Sequence, residues 1–237
     1  MSVYVYSITA ADHPLDLKGL SGVGPTPAAL RTVEAGPLRA VVSDSPPGLR
    51  PKRRDLMAHQ AIQEQLMAEG TVLPLRFGFT APDDHVVRAA LEMGRDQYTR
   101  RLTELDGCAE YHLKAAVAEE ALLREILRDS PRARQLNDEI KAGTGSPDLP
   151  LALGELVAQE VRSRQQALAA GITARLAPHT RGQRESAPTG EDFLNVSFLV
   201  DNDHRRSFLA ARQGVADDLG TDVDLRLHGP LPAYSFV

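Results

Sequence analysis

The sequence predicts an α+β protein of two domains. Three observations carry this. Short β-branched and aromatic runs alternate at period two, and longer stretches repeat apolar residues at steps of three and four. The second half also orders its elements as strand, helices, weak strand, strand, helix, strand. Apart from extra helices in the first crossover, that is the βαββαβ order of a ferredoxin-like sandwich. The expected domains are a small α+β layer over 1–107 and a ferredoxin-like domain over 108–237. The second would carry a helical insertion at about 119–176 and a tail at 229–237.

The first strand is expected at Val3-Tyr-Val-Tyr-Ser-Ile8, which is β-branched and aromatic. The Gly/Pro-rich stretch from Lys18 to Pro27 has loop chemistry. Leu30 to Ala35 and Leu38 to Ser43, around Gly36-Pro37, suit a hairpin. In its second arm Leu38, Ala40 and Val42 share one face, opposite Arg39, Val41 and Ser43. Residues 52–69 read as a helix with Leu56, Ile62, Leu66 and Met67 on its apolar arc. Thr71 to Thr80 reads as a strand entering a turn, and Pro74 confines it to an edge or a bulge. Residues 83–106 read as one helix with the stripe Val87, Leu91, Gly94, Tyr98, Leu102 and Leu105, stopped at Asp106-Gly107.

In the second half, Ala109, Tyr111, Leu113, Ala115 and Val117 alternate with Glu110, His112 and Lys114 as a half-buried strand. Helices are expected at 119–129, 131–142 and about 150–176, with breaks at Ser130-Pro131 and over 143–147. Residues 177–190 read as a weak edge strand or a loop. Leu194 to Val200 alternates again, 204–219 forms a helix over Phe208, Val215 and Leu219, and Val223, Leu225 and Leu227 mark a last strand.

Composition excludes several function classes. The 237 residues have a net charge of -5. That argues against a general nucleic-acid binder, which needs a basic face to neutralise phosphates. One Cys, Cys108, allows no intrachain disulfide, and no Cys/His cluster has metal-ligand spacing. No metal or other cofactor is expected. The opening segment lacks the basic and apolar regions of a signal peptide, and no apolar run is long enough to span a membrane. The expectation is a cytoplasmic chain.

No phosphate-binding loop, dinucleotide fingerprint, nucleophile elbow or zinc-protease motif occurs. His59 falls on the apolar arc of its helix. It reads either as a core or interface histidine that hydrogen-bonds to the backbone or, paired with Arg76, as an anion pocket. A catalytic or small-molecule-binding ferredoxin-like protein would use that pocket. An RNA-binding sheet would need Tyr111, Phe193 and Phe198 exposed beside a basic stripe that is absent. Two segments look unlike generic scaffold: Val72-Leu-Pro-Leu-Arg-Phe-Gly-Phe79 and His228-Gly-Pro-Leu-Pro-Ala-Tyr-Ser-Phe-Val237. An apolar, Pro-stiffened tail is expected to dock, either on its own domain or on a partner.

On these segments, with Tyr4-Val-Tyr6, Leu38 to Ser43, His59, Leu105-Asp-Gly107, Glu110, Lys114, Phe193-Leu-Asn195 and Phe198-Leu-Val200, the chain resembles the gas vesicle protein F/L family. The tail departs locally, with Leu231 and Ala233 where the family is more aromatic and proline-rich. The resemblance implies a non-enzymatic accessory protein of gas vesicle assembly, either a minor vesicle component or a chaperone-like factor. It implies the hydrophobic major structural subunit and other accessory proteins as partners, with no nucleic acid and no membrane. It also implies two α+β domains and a place in the cytoplasm or at the gas vesicle. Leu73, Pro74, Arg76 and Phe77 of the first segment, with Pro230, Pro232, Tyr234 and Phe236 of the second, are then the expected partner contacts.

Overall fold

The computed structural model describes residues 2–26, 28–144 and 146–237, so Pro27 of the expected loop and Gly145 of the expected break lie outside the described residues. The chain has a mixed α/β fold with two antiparallel sheets. It divides into two compact units. The first comprises Met1–Tyr111, Leu199–Asn202 and Gly229–Val237, and the second His112–Phe198 and Asp203–His228. The reading along the sequence grouped 229–237 with the second half, whereas by contacts those residues belong to the first unit.

The first sheet contains β1 (Val3–Ala10), β2 (Arg31–Ala35), β3 (Leu38–Asp44) and β4 (Val72–Pro74) in the order β2-β3-β1-β4. The two-residue β5 (Thr80–Ala81) also pairs with β1. One helix, α1 (Arg53–Glu69), packs Ile62 and Leu66 against Tyr4, Tyr6, Val41 and Val72 on one face. Across the sheet, α2 (Asp84–Met93) and α3 (Arg95–Glu104) pack Val87, Leu91 and Leu102 against Val3, Val5, Leu38, Ala40 and Val42. The sheet is therefore buried on both faces.

The register of β1 against β3 shifts between Val5 and Ser7, so Tyr6 is a bulge. An extra residue swaps the faces of everything beyond it. Val3 and Val5 point to the α2/α3 side before it, and Ile8 after it. Tyr4 and Tyr6 point to the α1 side, and Ser7 bonds to α1 through Gln63.

Two expectations are corrected here. The helix expected over 83–106 breaks at Gly94, where α2 ends and α3 begins. An added Cβ at Gly94 would lie 2.4 Å from the Tyr98 ring, so the break brings that ring onto the backbone. The strand expected over 71–80 is split into 72–74 and 80–81: Pro74 lacks a ladder donor and residues 76–78 turn away, although Leu75 still donates to the Tyr6 carbonyl and Phe79 accepts from the Val5 amide.

The second sheet contains β6 (Cys108–Val117), β7 (Gly182–Glu185), β8 (Asp192–Asp201) and β9 (Val223–Leu231) in the order β7-β8-β6-β9. Helices α4 (Glu119–Asp129), α5 (Pro131–Ala142) and α6 (Leu149–Leu176) lie between β6 and β7 in sequence, and α7 (Arg205–Leu219) between β8 and β9. Ser130 caps α5 by accepting from the Ala133 amide, with Pro131 at the first helical position. Leu122, Ile126 and Ala133 form a small helical core with flanking Leu153, Val157 and Val161. No described helix is long and apolar enough to cross a membrane.

Candidate functional site

The buried face of α1 carries Asp55, His59 and Gln63 as well as Ile62 and Leu66. Leu56, expected on that arc, is 42% exposed. The three polar residues recur every four positions, so they stack on one stripe. They face the bulged side of β1, and the two sets bond to each other.

Gln63 takes a hydrogen bond from the Ser7 hydroxyl and donates to the Tyr6 carbonyl, each at 2.5 Å. The Tyr6 hydroxyl meets Ser43 Oγ at 2.9 Å and accepts from the Val23 amide. Asp55 accepts from the Gly24 amide at 2.9 Å and from Arg54. Burial raises the Asp55 carboxyl, but that amide and the Arg54 guanidinium outweigh it and hold the group below its ordinary value. Asp55 and Tyr6 together fasten the Val23-Gly24 loop. Buried polar groups cost little when each finds a partner, and a satisfied network fixes one arrangement.

His59 is 4% exposed. Its Nδ1 lies 3.0 Å from the Tyr4 hydroxyl, and its Nε2 lies 3.4 Å from the Tyr234 hydroxyl. The Tyr4 oxygen accepts from the Gly78 amide at 3.0 Å. The Gln63 amide nitrogen also lies 3.4 Å from His59 Nε2, so both ring nitrogens face polar neighbours. Burial lowers the His59 pKa, with the Leu75 bond opposing it. Burial also raises the Tyr4 and Tyr6 hydroxyls. It pushes Tyr234 up to about 12, with Glu110 and Glu64 adding to the effect. Phe77 completes the cluster with its ring edge-on to Tyr4 and His59 at 5.8 Å.

The tail joins the same unit. Ala233 and Phe236 enter the α2/α3-side core, and Pro232 is buried. Glu110, 4% exposed, accepts from the Ser235 amide at 2.8 Å and from its hydroxyl at 2.7 Å. Gly229, at φ +149°, passes so close to Glu110 and Tyr111 that a Cβ would lie 2.7 Å from the Tyr111 ring.

The two segments singled out by sequence thus meet at His59. Among their residues, Leu73, Pro74, Pro232 and Phe236 are buried, Phe77 and Tyr234 are half-buried, and Arg76 and Pro230 are exposed. His59 and Arg76 are not joined. The ring nitrogens of His59 are engaged by tyrosines, and Arg76 makes no side-chain hydrogen bond or ion pair among the described residues. Sequence reasoning missed Asp55 and Gln63, and marked Tyr4 and Glu110 only as carriers of the resemblance, without a role at this site. The four-residue repeat of Asp55, His59 and Gln63 was the available signal. No group of three or more His, Cys, Asp or Glu suited to a metal ion occurs among the described residues.

This mixed α/β fold is shared with solved gas vesicle proteins. The crystal structure of gas vesicle protein GvpF from Anabaena sp. PCC7120 superposes with a TM-score of 0.85 at 21% identity, covering 99% of this chain and 97% of that one. GvpF from Microcystis aeruginosa gives 0.80, also at 21%, over 99% and 98%. The family model described as gas vesicle synthesis protein GvpL/GvpF matches residues 2–237, and the chain belongs to that family. Gas vesicle protein F of Streptomyces sp. (strain CB03234) is 41% identical over the full length of both chains. Gas vesicle protein L of the same organism is 30% identical over 98% of this chain and 91% of that one.

Proposed function

We propose that this chain is a non-enzymatic accessory factor of gas vesicle assembly, acting in the cytoplasm or at the vesicle by binding other gas vesicle proteins. The hydrophobic major structural subunit is the first of these partners. The supporting observation is the end-to-end family match, residues 2–237. The geometry agrees with a role exercised through surfaces. The polar groups around His59 are spent on holding loops and the tail, so few remain to act on a substrate. Higher identity to the F than to the L relative favours an F-type role.

The two-domain, ferredoxin-like description is part of this reading. The order β7-β8-β6-β9 supports a ferredoxin-like sheet from residue 108 onward, with α4 to α6 inserted in its first crossover.

Among the expected contact residues, the turn around Arg76 and Phe77 is the best placed to meet the subunit. It exposes Arg76, and next to it Phe79 is 53% exposed. A soluble partner that covers apolar surface would keep such a subunit from aggregating. Pull-down of the structural subunit with the full chain tests this. Arg76→Ala and Phe79→Ser should weaken capture while leaving the fold intact. Unchanged capture by both would remove the turn from consideration.

A further inference from the structure

We propose that the cationic start of α1, formed by Arg50, Lys52 and Arg53 beside Leu56 and Met57, docks an acidic segment of a protein partner that also offers an apolar side chain. This rests on the reading that the chain works through protein contacts.

The charge pattern comes first. Between Ser45 and Gln63 the sequence places Arg50, Lys52, Arg53 and Arg54 against one acid, Asp55, in a chain of net charge -5. Asp55 is buried and bound to Arg54 and the Gly24 amide. Arg50, Lys52 and Arg53 are exposed. None of these three makes a side-chain hydrogen bond or ion pair among the described residues.

Their position opposes local stability. Helix N-termini favour acids and side-chain caps, because the first amides and the macrodipole are positive there. Here Lys52 is the N-cap and supplies no side-chain cap, and the one first-turn acid is already occupied. Lys52 lends part of its charge to the buried Asp55 carboxylate, but Arg50 and Arg53 are not so employed, and a feature that breaks local rules without internal compensation points to a function outside the fold.

The apolar part defines the partner further. Leu56 and Met57 are 42% and 59% exposed. They stand four residues after Lys52 and Arg53, so each shares a helix stripe with a cation. Methionine adapts to irregular surfaces. Farther along, exposed Gln60 and Glu64 end the basic character and would repel an acidic segment that overran the patch. Nucleic acid fits less well, since the strand aromatics Tyr111 and Phe198 are 2% and 0% exposed. A membrane surface would need a longer apolar face than two side chains.

The test titrates the full chain with a synthetic helical peptide bearing a glutamate face bordered by leucines, read by fluorescence anisotropy. Binding should weaken with salt. The triple variant Arg50→Glu, Lys52→Glu, Arg53→Glu should lose affinity by roughly tenfold or more. Met57→Ser should lose less. The triple variant should still melt cooperatively, because its acids suit the helix end, even though Lys52→Glu removes a cation that favours the buried Asp55 carboxylate. No binding by the parent chain, or equal binding by the triple variant, would overturn the proposal. Tighter binding of a single-stranded oligonucleotide or of phosphatidylserine vesicles would do the same. The assay contains no gas vesicle component, so its failure leaves the proposed accessory role standing.

Discussion

Replacing Phe236 by alanine measures whether the tail is part of the fold. Phe236 is 7% exposed and belongs to the core cluster that contains Val3, Leu38, Leu73 and Leu105. Burying such a ring is worth about 1.5–3 kcal/mol in transfer alone. In a closed core the cavity raises the cost of Phe→Ala to about 3–5 kcal/mol. This residue is next to last, so the tail can relax into the space or release. Release is limited by Ala233, Pro232 and the Glu110 bonds to Ser235. The expected loss is therefore about 2–4 kcal/mol. The assay is urea unfolding followed by tyrosine fluorescence. The chain has no Trp and five tyrosines, and all five (Tyr4, Tyr6, Tyr98, Tyr111 and Tyr234) belong to the first unit. The signal thus reports the unit that contains Phe236. Tyr234→Phe serves as the control, since it removes only a 3.4 Å contact and should cost about 0.5 kcal/mol. A loss below about 1 kcal/mol for Phe236→Ala would refute tail docking and return the tail to a free, partner-seeking role.

Three further outcomes follow from the same geometry. Gln63→Leu should cost about 1–3 kcal/mol in the same assay, because it strands the buried Ser7 hydroxyl, while the Tyr6 carbonyl keeps the Leu75 amide. Gly94→Ala should destabilise by about 1–2 kcal/mol despite alanine's better helix propensity, since the new Cβ meets the Tyr98 ring; a gain in melting temperature would contradict that contact. The depressed His59 pKa gives a pH signature. Below an unfolded value of about 6.5 the unfolded chain takes a proton that native His59 refuses, so stability falls as pH drops from there and is unaffected above it. His59→Gln should flatten the stability profile on the acid side of neutrality relative to the parent; an unchanged slope would show that His59 titrates normally.

Element positions were legible in the sequence because period and turn chemistry are local. The arms of the 31–44 hairpin, the break before Pro131 and the alternation of 194–200 all appear where residue type places them. What was not legible depends on tertiary burial. The strand from Leu38 was read as two opposite faces without saying which is buried; Val41 and Ser43 are buried as fully as Ala40, because β3 lies in a sheet covered on both sides. The α1 arc was drawn through Leu56 on hydrophobicity. The fold instead buries Asp55, His59 and Gln63, since β1 around the bulge at Tyr6 offers hydroxyls and a carbonyl to which polar side chains can bond. His59 was found for its position and explained too simply. Both of its segments were visible, but not that they converge on it.

That convergence bears on where partners bind. A motif can be distinctive because it touches something external or because several internal demands coincide on it. The second account covers most of Val72–Gly78 and of the tail. Leu73 fills the core, Gly78 gives its amide to Tyr4, Tyr234 reaches His59, and Ser235 is held by Glu110. Such groups are poor docking residues, because freeing them would leave the carboxylate of Glu110 or the hydroxyl of Tyr4 buried without its partner. Strand edges are also partly guarded: Arg88 donates to the Glu34 carbonyl on β2, and Arg212 to the Leu225 carbonyl on β9. Charged caps of this kind discourage edge pairing. On the proposed reading, recognition falls to side chains that the fold exposes without using, chiefly the Arg76–Phe79 turn and the cationic start of α1. The two differ in chemistry, one largely aromatic and one basic. On that reading, one chain presents an aromatic and a basic surface to partners of matching chemistry.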